Sequence, residues 1–272
     1  MTDICRNLGH ARTSYYRRAA PKAIDANAVK LRAAVRHIHT DVHATYGSRR
    51  MQAELNAQGF AVGRYKVRSL MQALQLKAKR PKQHRYPVAG KPSTVAPNSL
   101  NRQFNPIDSN THWAGDITYI RTNQGWLYLA IVLDLFSRRV VSWAFSSQPN
   151  SELSVRAINL AVQLRQPQEP VLFHTDQGVQ YSSDTFRQAL AKHSITASMS
   201  RRGNCLDNAV TERFFRSLKS ERVNYRQYKT RAEGMVDIAE YIESFYNQKR
   251  RHSTLGNISP AEYETKQRNV SN

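Results

Sequence analysis

The chain has 272 residues, of which 41 are Lys or Arg and 20 are Asp or Glu, so its net charge at pH 7 is +21. With 40% hydrophobic and 22% charged residues its balance is globular rather than disordered, and its longest apolar run, residues 126–133, is too short to cross a bilayer. Two cysteines, Cys5 and Cys205, exclude a disulfide framework and fit a reducing cytoplasm, the start lacks the pattern of a secretory leader, and the charge points to a polyanion such as nucleic acid.

That charge is uneven. The first 100 residues hold 19 Lys+Arg and 4 Asp+Glu, and the rest of the chain is close to balance. Residues 28–78 read as three short helices. Val29, Val35, Ile38 and Val42 recur at helical spacing, Ser48 is placed to cap the second helix, Gly59 ends it, and residues 65–74 form the third. A glycine turn before the last helix resembles a helix-turn-helix, whose third helix would present Arg64, Lys66 and Arg68 to DNA; plain helical packing is the alternative. A basic tail opens at Lys77, and its Lys79 and Arg80 are expected to track DNA phosphates, a merely charged tether being the alternative; Pro87, Pro92 and Pro97 make residues 81–106 an extended linker.

From Trp113 the period changes. Residues 113–120, 126–134 and 139–145 read as three strands joined by short turns, an antiparallel meander. A helix from Ser151 to about residue 164 follows, then a short buried strand ending at His174, Thr175 and Asp176. A helix over 184–192, a strand over 195–199, a helix over about 206–222 and a final helix over about 233–247 complete the order. The result is an α/β fold with a mixed sheet flanked by helices.

Acids are scarce here, so their positions carry information. Asp116 lies inside an apolar strand, where a carboxylate is costly unless paired or bound to a cation. Asp176 ends a buried strand. Glu212 falls off the apolar stripe of Val210, Phe214 and Leu218, on a helix face shared with Asn208, Phe215 and Lys219. Three carboxylates on a phosphate-attracting chain suit hard divalent cations, and two such ions are suited to phosphoryl transfer.

The motifs now form a pattern: residues 113–119 (WAGDITY), residues 174–181 (HTDQGVQY), and Asp207, Asn208 and Ala209 followed by Glu212, with 35 residues between Asp176 and Glu212. Tyr246, Asn247, Arg251, His252, Ser253, Ser259 and Pro260 add a C-terminal signature. Together they resemble the catalytic core of retroviral-type integrases and insertion-sequence transposases. With Tyr46, Gly47, Ser48, Arg49 and Arg50 ahead of that core, the chain resembles the second-frame product of the insertion-sequence-three family of DDE transposases.

The resemblance implies a ribonuclease-H-like core over residues 107–272, an N-terminal helix-turn-helix region over residues 1–80, and Asp116, Asp176 and Glu212 as catalytic and metal-binding triad for Mg²⁺ or Mn²⁺, two ions. The implied reaction is water attack at an element end to free a 3′-hydroxyl, followed by attack of that hydroxyl on target DNA. Asn208, Arg216 and Lys219 would hold the DNA backbone. Expected partners are double-stranded DNA, further copies of this chain on DNA, and the upstream-frame product or a fusion with it, in a nucleoid-associated cytoplasmic setting without a membrane. The chain shows no heptad segment of its own, so limited end-specific binding alone is expected. The zinc domain of retroviral integrases is not expected, because His37, His39 and His43 have no nearby cysteine pair. A ribonuclease-H-like nuclease without strand transfer and a non-catalytic DNA-binding regulator are the alternatives.

Overall fold

The computed structural model of the protein describes residues 2–13, 25–79, 95–201 and 205–271. Arg80 and the linker as far as residue 94 lie outside these. The described N-terminal elements are helices α1 (Thr2–Asn7), α2 (Ala26–Asp41), α3 (Ser48–Ala57) and α4 (Arg64–Ala73). Asp25 starts α2 by accepting the backbone N–H groups of Asn27 and Ala28. Two sequence expectations shift here. Gly47, not Ser48, holds the cap position of α3, because the chain is already helical at Ser48. Val29 is half exposed, and Leu31 joins Val35 and Ile38 inside, the set that the helical phase aligns. Gly59 does stop α3, with φ at +88°.

The sheet has five strands in the order β3-β2-β1-β4-β5. Strands β1 (His112–Thr122), β2 (Gly125–Asp134) and β3 (Val140–Ser146) form the expected antiparallel meander. Strand β4 (Leu172–Thr175) lies parallel to β1, and β5 (Thr196–Met199) lies parallel to β4. Helices α5 (Ser151–Arg165) and α6 (Asp184–Lys192) supply the crossovers. Asn150, not Ser151, caps α5, its side chain accepting from the Leu153 N–H.

A 3₁₀ turn, Cys205–Asn208, replaces the first residues expected in the next helix, so α7 runs Ala209–Glu221. Helix α8 (Arg231–Glu240), capped by Thr230, passes into a wide π-helical turn, Tyr241–Asn247. It is not the final helix. Helix α9 (Pro260–Ser271) follows, fixed by Glu264, which pairs with Arg139 and Arg165 and accepts from Ser137. Asp134 consequently finds its cation in Arg165 at 3.4 Å, rather than in Arg138 or Arg139 next to it in sequence.

Strand alternation divides the core. Trp113, Ala130 and Val132 face α5 and α6. Ala114, Ile120, Leu127, Leu129, Ile131 and Leu133 face the other way, into an apolar cluster shared with Phe214 and Leu218 of α7, Tyr241 and Tyr246, and the buried residues of α2, α3 and α4. The N-terminal helices are therefore packed on the core. The Tyr46 hydroxyl donates to the Lys249 carbonyl and accepts from the Arg251 N–H, both at 3.0 Å. Glu54 pairs with Arg251 at 2.6 Å, and Arg50 with Glu221 at 3.3 Å. Glu221 is buried at the end of α7, where Arg250 donates to both its oxygens, at 2.7 and 2.8 Å, and the Tyr241 hydroxyl adds a third bond at 2.8 Å.

Candidate active site

The register of two parallel strands positions the first pair of acids. Ala114 of β1 pairs with His174 of β4, and Asp116 and Asp176 each lie two residues further on, where the strands part. Gly115 lets β4 come close, since a β-carbon there would overlap the Phe173 ring. Phe173, Tyr181 and Phe186 pack ring against ring as an apolar floor near the acids. Asp176 accepts the Gly178 N–H at 3.0 Å, and a side chain at Gly178 would crowd that same carboxylate. Among the described residues Asp116 accepts only the neighbouring Ile117 N–H, at 2.7 Å. Glu212 comes from the first turn of α7, which packs across β1.

Electrostatics tie the three acids together. Burial first, then the charge of Asp176 and that of Glu212, push Asp116 well above the ordinary carboxylate range. Burial raises Asp176, and burial with the Asp176 charge raises Glu212 against the pull of Arg216. Every other buried or half-buried carboxylate among the described residues has a cation: Glu54, Asp134, Asp207, Glu221, Asp237 and Glu264 are all in ion pairs. In a chain with so many arginines, Asp116, Asp176 and Glu212 are the half-buried acids that form no ion pair among the described residues. Among the described residues no three His, Cys, Asp or Glu side chains converge closely enough to hold a metal ion. The fit to a hard divalent cation is one of donor chemistry, all oxygen, and of repulsion that a cation would relieve.

Lys219, two turns beyond Glu212, extends toward the same place. Its ammonium lies 4.8 Å over the Tyr119 ring and within the field of Asp116, and burial lowers its pKa. Arg216 is exposed on the turn after Glu212. The polar helix face expected around Glu212 is only partly polar, because Phe215 is buried in the shared apolar cluster. Asn208 is buried too, with its side-chain oxygen unpaired. On α4, Arg64, Lys66 and Arg68 are exposed while Val67, Leu70 and Met71 turn inward. Lys79 is engaged within the protein, donating to the Glu221 carbonyl at 3.0 Å and lying over the Tyr225 ring.

Several motif residues turn out to build the site rather than line it. His174 is buried between the Ser198 and Ser200 hydroxyls, and burial lowers its pKa to about 4. Asp207 is buried under Arg102 and Arg201 and accepts from Asn98, which fixes the turn leading into α7. Asn247 clips β3 through both its amide groups, accepting the Val140 N–H and donating to the Val140 carbonyl. The role of Asp207 was not read from sequence, although five residues before Glu212 is where the start of that helix must be held.

Comparison with known proteins supplies the lineage. An integrase core domain family matches residues 108–205, a second integrase core domain family matches residues 193–260, and an HTH-like domain family matches residues 26–84. A 31 kDa protein of insertion element IS600 from Shigella sonnei is 37% identical over 97% of this chain and 98% of its own. Transposase InsF of insertion sequence IS3A from Escherichia coli K12 is 39% identical over 81% of this chain and 77% of its own. Among solved structures, the HTLV-2 integrase catalytic core domain in complex with magnesium is similar at 18% identity and a TM-score of 0.45, over 58% of this chain and 97% of that one. The strand order and the matched families give a ribonuclease-H-like integrase core behind an HTH-like domain, and the chain belongs to the IS3 family of insertion-sequence transposases.

Proposed function

We propose that this chain cuts DNA at the ends of an insertion sequence and joins the freed 3′-hydroxyl to a target strand, with Asp116, Asp176 and Glu212 as the catalytic triad. The observation that carries this is the set of half-buried carboxylates that form no ion pair among the described residues in a protein of charge +21. Divalent cations, Mg²⁺ or Mn²⁺ and two in number, would be held by these three carboxylates and would activate the attacking oxygen and stabilise the leaving one.

The remaining side chains serve the DNA. Lys219 brings a positive charge beside Asp116, and Arg216 brings one beside Glu212, so a phosphodiester entering the acidic centre meets cations on α7. The apolar floor of Phe173, Tyr181 and Phe186 keeps water from beneath the acids. Arg64, Lys66 and Arg68 on the open face of α4 hold double-stranded DNA. In this division residues 1–80 hold DNA, residues 81–106 link, and residues 107–272 catalyse. Assembly of several copies on DNA, cooperation with the upstream-frame product and a place at the bacterial nucleoid belong to the same reading. No helix among the described residues is long and apolar enough to cross a membrane.

The test is cleavage and strand transfer on oligonucleotides bearing the element ends. Asp116→Asn, Asp176→Asn and Glu212→Gln are each expected to abolish both steps while DNA binding survives. Near-normal activity in any one variant would remove that residue from the triad.

A further inference from the structure

The hairpin joining β1 to β2 carries an aromatic pair that catalysis by carboxylates does not explain. Tyr119 and Trp126 meet edge to face, with ring centroids 5.2 Å apart at 86°. Trp126 is 44% exposed, whereas Trp113 is fully buried and Trp143 half-buried. A large aromatic surface held in water on a rigid support is costly unless something covers it. This support is rigid. Arg231 at the start of α8 donates to the Trp126 carbonyl at 3.0 Å, its backbone N–H reaches the Gln124 side chain at 3.0 Å, and the Asn123 N–H donates to the Tyr228 carbonyl.

The pair is also continuous with the acidic centre. Lys219 lies over the Tyr119 ring while sensing the charge of Asp116, so one side chain spans the interval between them. Arg121, directly opposite Trp126 in the register, is exposed. Tyr119 follows Asp116 by three strand residues, about 10 Å at ~3.3 Å per residue, and so lies on the other face of β1, reached past the strand edge that β4 leaves after Ala114. At ~3.4 Å per stacked nucleotide that is two or three nucleotides along a DNA strand. Cations for phosphates beside an open aromatic face make up the chemistry that binds unpaired nucleotides.

We propose that Tyr119 and Trp126 form a stacking platform for an unpaired base of the strand whose phosphate lies at the carboxylates, with Lys219 and Arg121 holding the neighbouring phosphates. The site recognises a nucleobase by its π-face, and so tolerates any sequence. It favours DNA whose end has opened two or three nucleotides from the point of cutting. This rests on the assignment of Asp116, Asp176 and Glu212 as the cutting centre.

The test uses the full chain with divalent cations chelated, so that binding is read apart from cleavage. The probes are a short oligo(dT) strand and an abasic strand of equal length and charge. Oligo(dT) is expected to quench the tryptophan fluorescence of the wild-type protein, and the abasic strand to leave it nearly unchanged. Trp126→Phe, which keeps a ring, should lose the quench yet retain its preference for oligo(dT). Trp126→Ala should bind oligo(dT) roughly tenfold more weakly, with abasic binding unaltered. Quenching that persists in Trp126→Phe, or a preference for bases undiminished in Trp126→Ala, overturns the platform. If instead the carboxylate assignment fails, Asp116→Asn still cleaves DNA while these binding results stand.

Discussion

Replacing Glu221 by Ala tests the account of how the N-terminal helices and helix α7 are joined. The Glu221 and Arg250 side chains are only 10% and 7% exposed, and two charge-assisted bonds of 2.7 and 2.8 Å link them. After the substitution Arg250 retains the Ser217 hydroxyl at 2.9 Å, His252 at 3.3 Å and the face of the Tyr246 ring, but no anion among the described residues. Tyr241 loses its acceptor and Arg50 its partner. Breaking a buried pair by removing one member costs about 3–5 kcal/mol, because the remaining charge is buried without compensation. At roughly 2–4 °C per kcal/mol for a protein of this class of size, the melting temperature should fall by about 6–20 °C in calorimetry. Replacing both partners, Glu221→Leu with Arg250→Met, should recover most of the loss, since no charge is then left stranded. A loss below about 1 kcal/mol in the single variant, or a double variant as unstable as the single one, would refute this reasoning.

Three further outcomes follow from the same contacts. Asp116→Asn, expected to destroy cleavage, should raise stability in metal-free buffer at pH 7 by about 0.5–2 kcal/mol, because it removes a repelled, desolvated charge. The folded pKa of Asp116 is raised, so this gain should fade in thermal melts as the pH falls toward the ordinary value of 3.8. Glu221 and Glu264 behave oppositely: burial pushes them up, but Arg250 and Arg165 hold them below the ordinary 4.5. Their contribution is present above pH 4.5 and lost as the pH falls through their lowered values, so urea titrations should show an acid-side loss that Arg250→Met reduces. Gly115→Ala drives a methyl group into Phe173 and should cost about 1–3 kcal/mol in melts. Cleavage should fall more than that stability loss explains, because β1 shifts where it carries Asp116.

Much of the sheet was legible because its signals are local. The β-rich runs over residues 113–120 and 126–134 and the turn at Asn123–Gly125 gave β1 and β2 to within two residues. The helical order was legible for the same reason, and short motifs with a fixed interval were what singled out Asp116, Asp176 and Glu212 as candidates. Partners distant in sequence were not. Nothing near Asp134 tells that Arg165 will reach it while Arg139 goes to Glu264. The stripe on α7 misled about Phe215 because its partners, among them the N-terminal helices, cover more than one face. Helix α9 has little amphipathic pattern of its own and is fixed by Glu264 across the fold, a contact that periodicity does not encode.

The contacts that fix α2 and α3 to the core have a consequence for how the chain matures. Tyr46 with Lys249 and Arg251, Glu54 with Arg251, and Asp41 with Lys249 join residues separated by 197 to 208 positions. Such pairs close only after nearly the whole chain has left the ribosome, whatever has folded before them. The helices that would grip DNA are made first and seated last. A nascent or truncated chain ending before Lys249 lacks the groups that hold them, so the proposed grip and the proposed cutting centre reach their fixed geometry together, in the finished molecule.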